Sequence, residues 1–190
     1  MIRAFLAVLA ITSLVMLQPI QVAADPVISA PFVTVGVGDT FTIPVSITGA
    51  TDVTSWQFDL AYIPSIVKAS SVTEGPFMSA FGNTLFTAGV IDNVSGLISL
   101  VADSYVDLPP DPSGSGVLAK IEFTALAPGV SPLNLANVFV NDLDAGFQAT
   151  NGQVTVTGKL VAEPATLTLL GLGLGAALGL RLRWRRAGRP

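Results

Sequence analysis

Cysteine and histidine are both missing from the 190 residues of this chain. Without thiols there is no disulfide framework and no thiolate nucleophile, so a fold exported from the cell has to stand on its core alone. Without imidazole as well, Ser-His-Asp and Cys-His nucleophilic sites and the usual zinc ligand sets are excluded. Basic residues are scarce where a folded domain would lie. Between Asp25 and Gly158 only Lys68 and Lys120 stand against twelve acidic residues, a charge of −10, while the whole chain carries −4. A surface of that sign repels a phosphate backbone, and nucleic acid is not an expected partner. Sustained helical periodicity is also missing ahead of the C-terminal tail, which removes the crossover helices that a parallel sheet requires.

What is present divides into three parts. Residues 1–24 carry a single positive charge at Arg3, an apolar run from Ala4 to Ile11 and the small-residue end Val22-Ala23-Ala24. They read as a secretory signal peptide, a helix cleaved after Ala24 by signal peptidase. Residues 25–158 form one domain, long enough to bury a real core. Residues 159–190 contain Glu163-Pro164-Ala165-Thr166, an uncharged stretch to Leu180, and then Arg181, Arg183, Arg185 and Arg186. The two apolar ends raise the mean hydropathy to +0.67.

Within the domain, Phe41, Ile43, Val45 and Ile47 alternate with polar residues, and Trp56, Phe58, Leu60 and Tyr62 repeat the period of two. Both are half-buried strands, and the alternation places Trp56 and Tyr62 in the core. Pro44 cannot donate to a ladder, so its strand should lie at an edge or meet a bulge there. Further strands are expected over Val67–Thr73, Thr84–Val90, Leu97–Ala102, Val117–Ala125, Leu133–Val140 and Gly152–Thr157, with loops over Glu74–Asn83 and Asp103–Gly116. Strands at this spacing argue for an all-β, antiparallel two-sheet sandwich.

The segments Val37-Gly38-Asp39-Thr40-Phe41-Thr42-Ile43-Pro44-Val45, Trp56 to Pro64, Gly114 to Phe123 and Gly152 to Val156 resemble, in order, the cohesin-like domains. That resemblance implies a nine-stranded jelly-roll and a non-catalytic binding module; in cellulosomes the cohesin sheet face binds dockerin. Ile63 stands where the family usually has Asp before the proline. The tail is similar to the PEP-CTERM sorting signal, in which a Pro-Glu-Pro motif, a transmembrane helix and an arginine-rich end direct a protein to an exosortase. Here Ala162 replaces the first proline. The tail helix is expected over about 165–182. Its uncharged part, Ala165–Leu180, reaches about 24 Å, short of a hydrocarbon core of roughly 30 Å, so Arg181 and Arg183 snorkel. The arginines place the C-terminus in the cytoplasm and the domain outside.

Candidate sites are sparse. Asp142 and Asp144, in Asn141-Asp142-Leu143-Asp144-Ala145-Gly146, offer the alternating oxygens that calcium loops use, yet the distant Glu is missing. The same residues read more readily as an Asx-rich turn capping a strand. Asp92 with Asn93, and the set Asp103, Asp107 and Asp111, carry the same two readings with the same preference for turns. No paired carboxylates at glycosidase spacing are recognisable, so no catalytic residue is expected. The expectation is an exported surface or matrix protein that acts in adhesion or exopolysaccharide organisation by binding a protein or polysaccharide. The alternative is a carbohydrate-binding or carbohydrate-active extracellular protein.

Overall fold

The computed structural model describes residues 26–108, 111–141 and 148–158. The signal peptide, the calcium candidates Asp142 and Asp144, the sorting motif, the tail helix and its arginines all lie outside them. Among the described residues no helix is long and apolar enough to cross a membrane.

Among the described residues eleven strands form two sheets: β1 (Val27–Ser29), β2 (Phe32–Gly36), β3 (Thr40–Ala50), β4 (Ser55–Ala61), β5 (Val67–Glu74), β6 (Val90–Asp92), β7 (Leu97–Ser104), β8 (Gly114–Ala125), β9 (Gly129–Val140), β10 (Gln148–Thr150) and β11 (Gly152–Thr157). One sheet has the order β10-β1-β3-β8-β5, the other β2-β11-β9-β4-β7-β6. All belong to one compact unit that ends at Thr157. β1 and β2 are one segment split where Pro31 carries the chain from sheet to sheet, and β10 and β11 are another, split at Asn151. Counted so, the sandwich has nine segments.

The sheets are not purely antiparallel. β1 pairs with β10, and β2 with β11, in parallel. No crossover helix is needed, because these are the first and last strands of the domain and everything between them serves as the connection. Pro44 sits in an interior strand, but β1 pairs with β3 only over Ser46–Thr48, so Pro44 has a ladder on one side alone. A register shift follows between Val45 and Ser46.

Two stretches depart from the sequence reading. The Glu74–Asn83 loop contains a one-turn helix, α1 (Pro76–Ser79), whose Phe77 and Met78 are buried against the end of the sandwich. Thr84–Val90 is not a continuous strand; it touches β7 at the bridges Thr84–Tyr105 and Thr87–Ala102 before β6 begins. The interruption is at Gly89, with φ +75°, where an added Cβ would collide with the Ser99 carbonyl.

The core is the alternation made solid. Ile43, Val45 and Ile47 of β3, Phe58 and Leu60 of β4, and Ile121 and Phe123 of β8 are fully buried. Each such side chain contributes about 1.5–3 kcal/mol of burial. Trp56 stacks on Phe58 at 5.6 Å, and Tyr62 meets Phe123 edge-on at 5.2 Å. With no disulfide, a polar tie joins the sheets. Asn93, in the β6–β7 turn, accepts from the Ala69 N–H (3.0 Å) and the Tyr62 hydroxyl (2.7 Å), and its amide donates to the Ala69 carbonyl (3.0 Å). Burial pushes the Tyr62 phenol above its ordinary pKa.

Candidate functional site

The two outer faces of the sandwich differ in chemistry. The five-stranded sheet shows solvent Thr40, Thr42 and Thr48 from β3, Lys68, Ser70 and Thr73 from β5, and Lys120 and Glu122 from β8. Every exposed large apolar residue on a described strand belongs instead to the six-stranded sheet: Phe32, Val90, Leu100, Val130 and Phe139. Leu85, which hydrogen-bonds through its N–H to the Ser104 carbonyl at the margin of that sheet, adds another. Isolated exposed apolar residues are ordinary, but their restriction to one of two faces marks an interaction surface.

Asp59 organises the middle of this face. It lies on β4, where the register slips against both neighbours: between Phe58 and Leu60 on the β7 side, and between Gln57 and Asp59 on the β9 side. Each neighbour carries a bulge whose extra residue has positive φ, Leu100 at +58° on β7 and Asn137 at +48° on β9. One Asp59 oxygen accepts from the Leu100 N–H at 2.7 Å, the other from the Asn137 amide at 2.6 Å. A single carboxylate therefore holds both bulges by charge-assisted hydrogen bonds.

Leu100 is the anomaly. The other described non-glycine residues at positive φ are Asp52, Asn137 and Asn141, the types that tolerate this region through short polar side chains. Leucine does not, and Leu100 is 51% exposed, so core packing is no compensation for the strain. Beside it the face sinks into a hollow of about 600 Å³ lined by Ser55, Gln57, Ala102, Ser104 and Phe139, with Trp56 and Asp103 also reaching it. Small and hydroxylated side chains with one aromatic at the wall make a surface suited to shape-matched contact rather than to chemistry.

Under this face lies Asp103, which the sequence reading put in a loop. It is on β7, directly opposite Trp56 of β4, and only 2% exposed. One of its oxygens accepts from the Ser104 N–H at 2.9 Å; the other, and the Trp56 indole N–H, have no hydrogen-bond partner among the described residues. Burial, reinforced by the neighbouring Glu74 carboxylate, pushes the Asp103 carboxyl up to about 6.

Comparison with known proteins names the architecture. The family model described as the cohesin domain matches residues 27–161, most of the chain. The chain belongs to the cohesin domain family. Among solved structures it is similar to the non-cellulosomal cohesin of the archaeon Archaeoglobus fulgidus, at 23% identity and TM-score 0.56, covering 73% of this chain and 96% of that one. It is also similar to the third ScaC cohesin of Acetivibrio cellulolyticus, solved with the ScaB dockerin, at 12% identity and TM-score 0.58, covering 69% and 98%. A third is the OlpC cohesin of Clostridium thermocellum, solved with the Doc435 dockerin, at 16% identity and TM-score 0.58, covering 71% and 95%. No curated protein matches the sequence.

The cohesin fold separates the acidic residues that the sequence made candidates. Asp92 accepts from the Val94 and Ser95 N–H groups and the Ser95 hydroxyl, an Asx turn closing the β6–β7 hairpin, and these bonds hold its carboxyl below the usual range. Asp107 accepts from the backbone and side chain of Asn83, which lowers its pKa likewise. Asp111 takes no part in either arrangement, and among the described residues no group of three metal-ligating side chains forms. Trp56 and Tyr62 are 2% and 5% exposed, in the core as the alternation predicted. Asp59, Leu100 and Phe139 escaped the sequence reading. Asp59 had one signal, a lone carboxylate midway along an apolar-alternating strand; the bulges that give it a role leave no trace in composition.

Proposed function

We propose that this cohesin domain is a non-catalytic protein-binding module that docks a dockerin-like partner on the outer face of its six-stranded sheet. The observation that carries the reading is the confinement of exposed strand-borne apolar residues to that face, with strained Leu100 at its centre. Two of the structural neighbours named above are complexes with dockerins, which supports the choice of partner. Sugar stacking on Trp56 or Tyr62 would require those rings at the surface, and both are buried, so the carbohydrate-binding alternative has no observation in its favour. Titrating the purified sandwich domain with a panel of dockerin domains in a calorimeter tests the proposal. Saturable binding that weakens in Phe139→Ser supports it; a domain that binds matrix polysaccharide and no dockerin sinks it.

The setting rests on the two ends of the chain. The leader over residues 1–24 supports export, and Glu163-Pro164-Ala165-Thr166, the apolar stretch and the arginines from Arg181 to Arg186 support recognition by an exosortase of the PEP-CTERM type. In this reading a precursor anchored with its C-terminus in the cytoplasm becomes a surface or matrix protein whose docking face serves adhesion or matrix organisation. Intact-mass measurement of the mature protein decides the point. A C-terminus still ending at Pro190 in a cell that carries the exosortase would refute processing.

A further inference from the structure

A sheet edge presents backbone N–H and C=O groups to any strand that can reach them, and stable folds shorten, charge or cover their edges. Among the described residues three of the edge strands are managed in this way. β6 and β10 have three residues each, and β6 ends in Asp92. β5 carries Lys68 and Glu74, and the Asn93 side chain bonds both the N–H and the carbonyl of Ala69. The fourth edge is β2, five residues without a charge in a domain that carries −10. Its one pairing among the described residues is with β11.

The phase of that pairing decides which groups of β2 stay open. The Gln153 N–H donates to the Pro31 carbonyl at 3.1 Å, and the Val37 N–H donates to the Thr157 carbonyl at 3.0 Å. Backbone groups alternate between the two sides of a strand, so the odd-numbered residues face β11 while Phe32, Thr34 and Gly36 face away. Gly36 is already closed, because its N–H donates to Asp39 Oδ2 at 2.7 Å and its carbonyl accepts from the Asp39 N–H at 3.1 Å. Phe32 and Thr34 are left with two donors and two acceptors. Pro31 is no guard, since the N–H it lacks would point to β11.

We propose that β2 pairs antiparallel with the β2 strand of a second copy of this chain, about a two-fold axis at Val33. Phe32 then stands opposite the partner's Thr34, and Thr34 opposite the partner's Phe32. Each pair exchanges two N–H to C=O bonds, so all the open groups of both edges are used. A register centred on Thr34 makes only two bonds and sets Phe32 against the closed Gly36. Phe32, 73% exposed in the single chain, gains a β-branched cross-strand neighbour, and no like charges are opposed within the pair. Five residues a side bury less than the roughly 1,000 Å² of a lasting interface, so the contact is weak and reversible and forms where chains are crowded. Paired residues share a face, so the outer faces of both six-stranded sheets lie on one side of a continuous twelve-stranded sheet. The pairing stands without the docking proposal; only its consequence, two docking faces presented together to a bivalent partner, rests on that reading.

Amide hydrogen exchange of the full chain in detergent, followed as protein concentration rises, tests the pairing. Exchange at Phe32 and Thr34 should slow at least about tenfold, while Gly36, bonded within the single chain, stays unchanged. Thr34→Pro removes an edge N–H and leaves the β11 ladder intact, so the slowing at Phe32 should vanish. Should that variant fail to fold, Thr34→Asp gives the same loss by setting two carboxylates diagonally across the axis. Exchange that is fast at every concentration overturns the proposal, including the case of chains held together by their tails alone. Protection that is independent of concentration would mean that another segment of the same chain covers β2, and protection that needs added dockerin would give the edge to that partner; either result overturns pairing with a second copy. The register has its own readout in a chain without cysteine. Oxidation should link Val33→Cys to itself, because directly opposed residues of this kind lie with Cα atoms about 4.5 Å apart, and should leave Thr34→Cys unlinked. Linking of Thr34→Cys as fast as Val33→Cys overturns the register and the four-bond argument with it.

Discussion

Replacing Leu100 by asparagine separates strain from stability in a way that few surface changes do. At φ +58° a leucine costs about 1–2 kcal/mol relative to a residue that tolerates the left-handed region, and asparagine recovers most of this. Against that gain, a side chain that is 51% exposed loses the buried half of its apolar surface, about 0.8–1.5 kcal/mol. The two terms nearly cancel, so Leu100→Asn should leave the unfolding free energy within about 1 kcal/mol of wild type. A half-exposed leucine in ordinary extended backbone would lose its burial and up to about 1 kcal/mol of strand preference besides, and so be destabilised by about 2 kcal/mol. Urea unfolding of the sandwich domain, followed by the fluorescence of Trp56, measures the difference. Dockerin affinity should meanwhile fall at least tenfold, as it does when an interface loses an anchor. Destabilisation by 2 kcal/mol or more refutes the strain argument, and an unchanged affinity refutes the placing of the docking face.

Asn93→Ala should cost about 2–4 kcal/mol, because it strips partners from the Ala69 N–H and carbonyl and the Tyr62 hydroxyl at once; an urea midpoint close to wild type would show that the sheets need no polar tie. Gly89→Ala combines a positive φ with a collision against the Ser99 carbonyl, so a thermal midpoint lowered by several degrees is expected, and no change would show that the edge can shift. Asp103 is protonated more readily in the fold than in the unfolded chain. Stability is therefore greatest below pH 3.8 for this group and is lost as pH rises through about 6, a total of about 3 kcal/mol. Comparing the pH dependence of unfolding in wild type and Asp103→Asn isolates that slope, and identical slopes would sink the assignment.

The parts of the fold that follow from periodicity were legible in the sequence. Phe58 and Leu60 alternate with polar neighbours and are buried, and Gly152–Thr157 is a strand over the bounds expected for it. What escaped depends on pairing. Nothing near Val27 announces a strand, because three residues make one only when β3 and β10 lie on either side. Asp103 looked like a loop residue since prolines follow it closely, yet β4 extends the ladder two residues past Ala102. The bulges at Leu100 and Asn137 exist because three strands of unequal count share one carboxylate, a relation between residues 41 and 78 positions apart.

The same two bulges help give the six-stranded sheet, rather than the polar one, its outward apolar surface. A regular antiparallel strand turns alternate residues inward, so an apolar residue on the outer face between two core positions ordinarily stands alone. A bulge inserts a second outward residue: on β7, Ser99 and Leu100 both fall between buried Ile98 and Val101. The insertion brings Leu100 beside the hollow that Phe139 lines without disturbing the core below, and Asp59 keeps the slip from propagating in either direction. Deleting Leu100 outright should therefore restore regular pairing with β4 and leave a folded sandwich with a flat face. A simple substitution tests the side chain; the deletion tests the bulge. If the deletion variant folds and still binds dockerin at wild-type affinity, the face works without its bulge, and the argument from strain to docking fails with it.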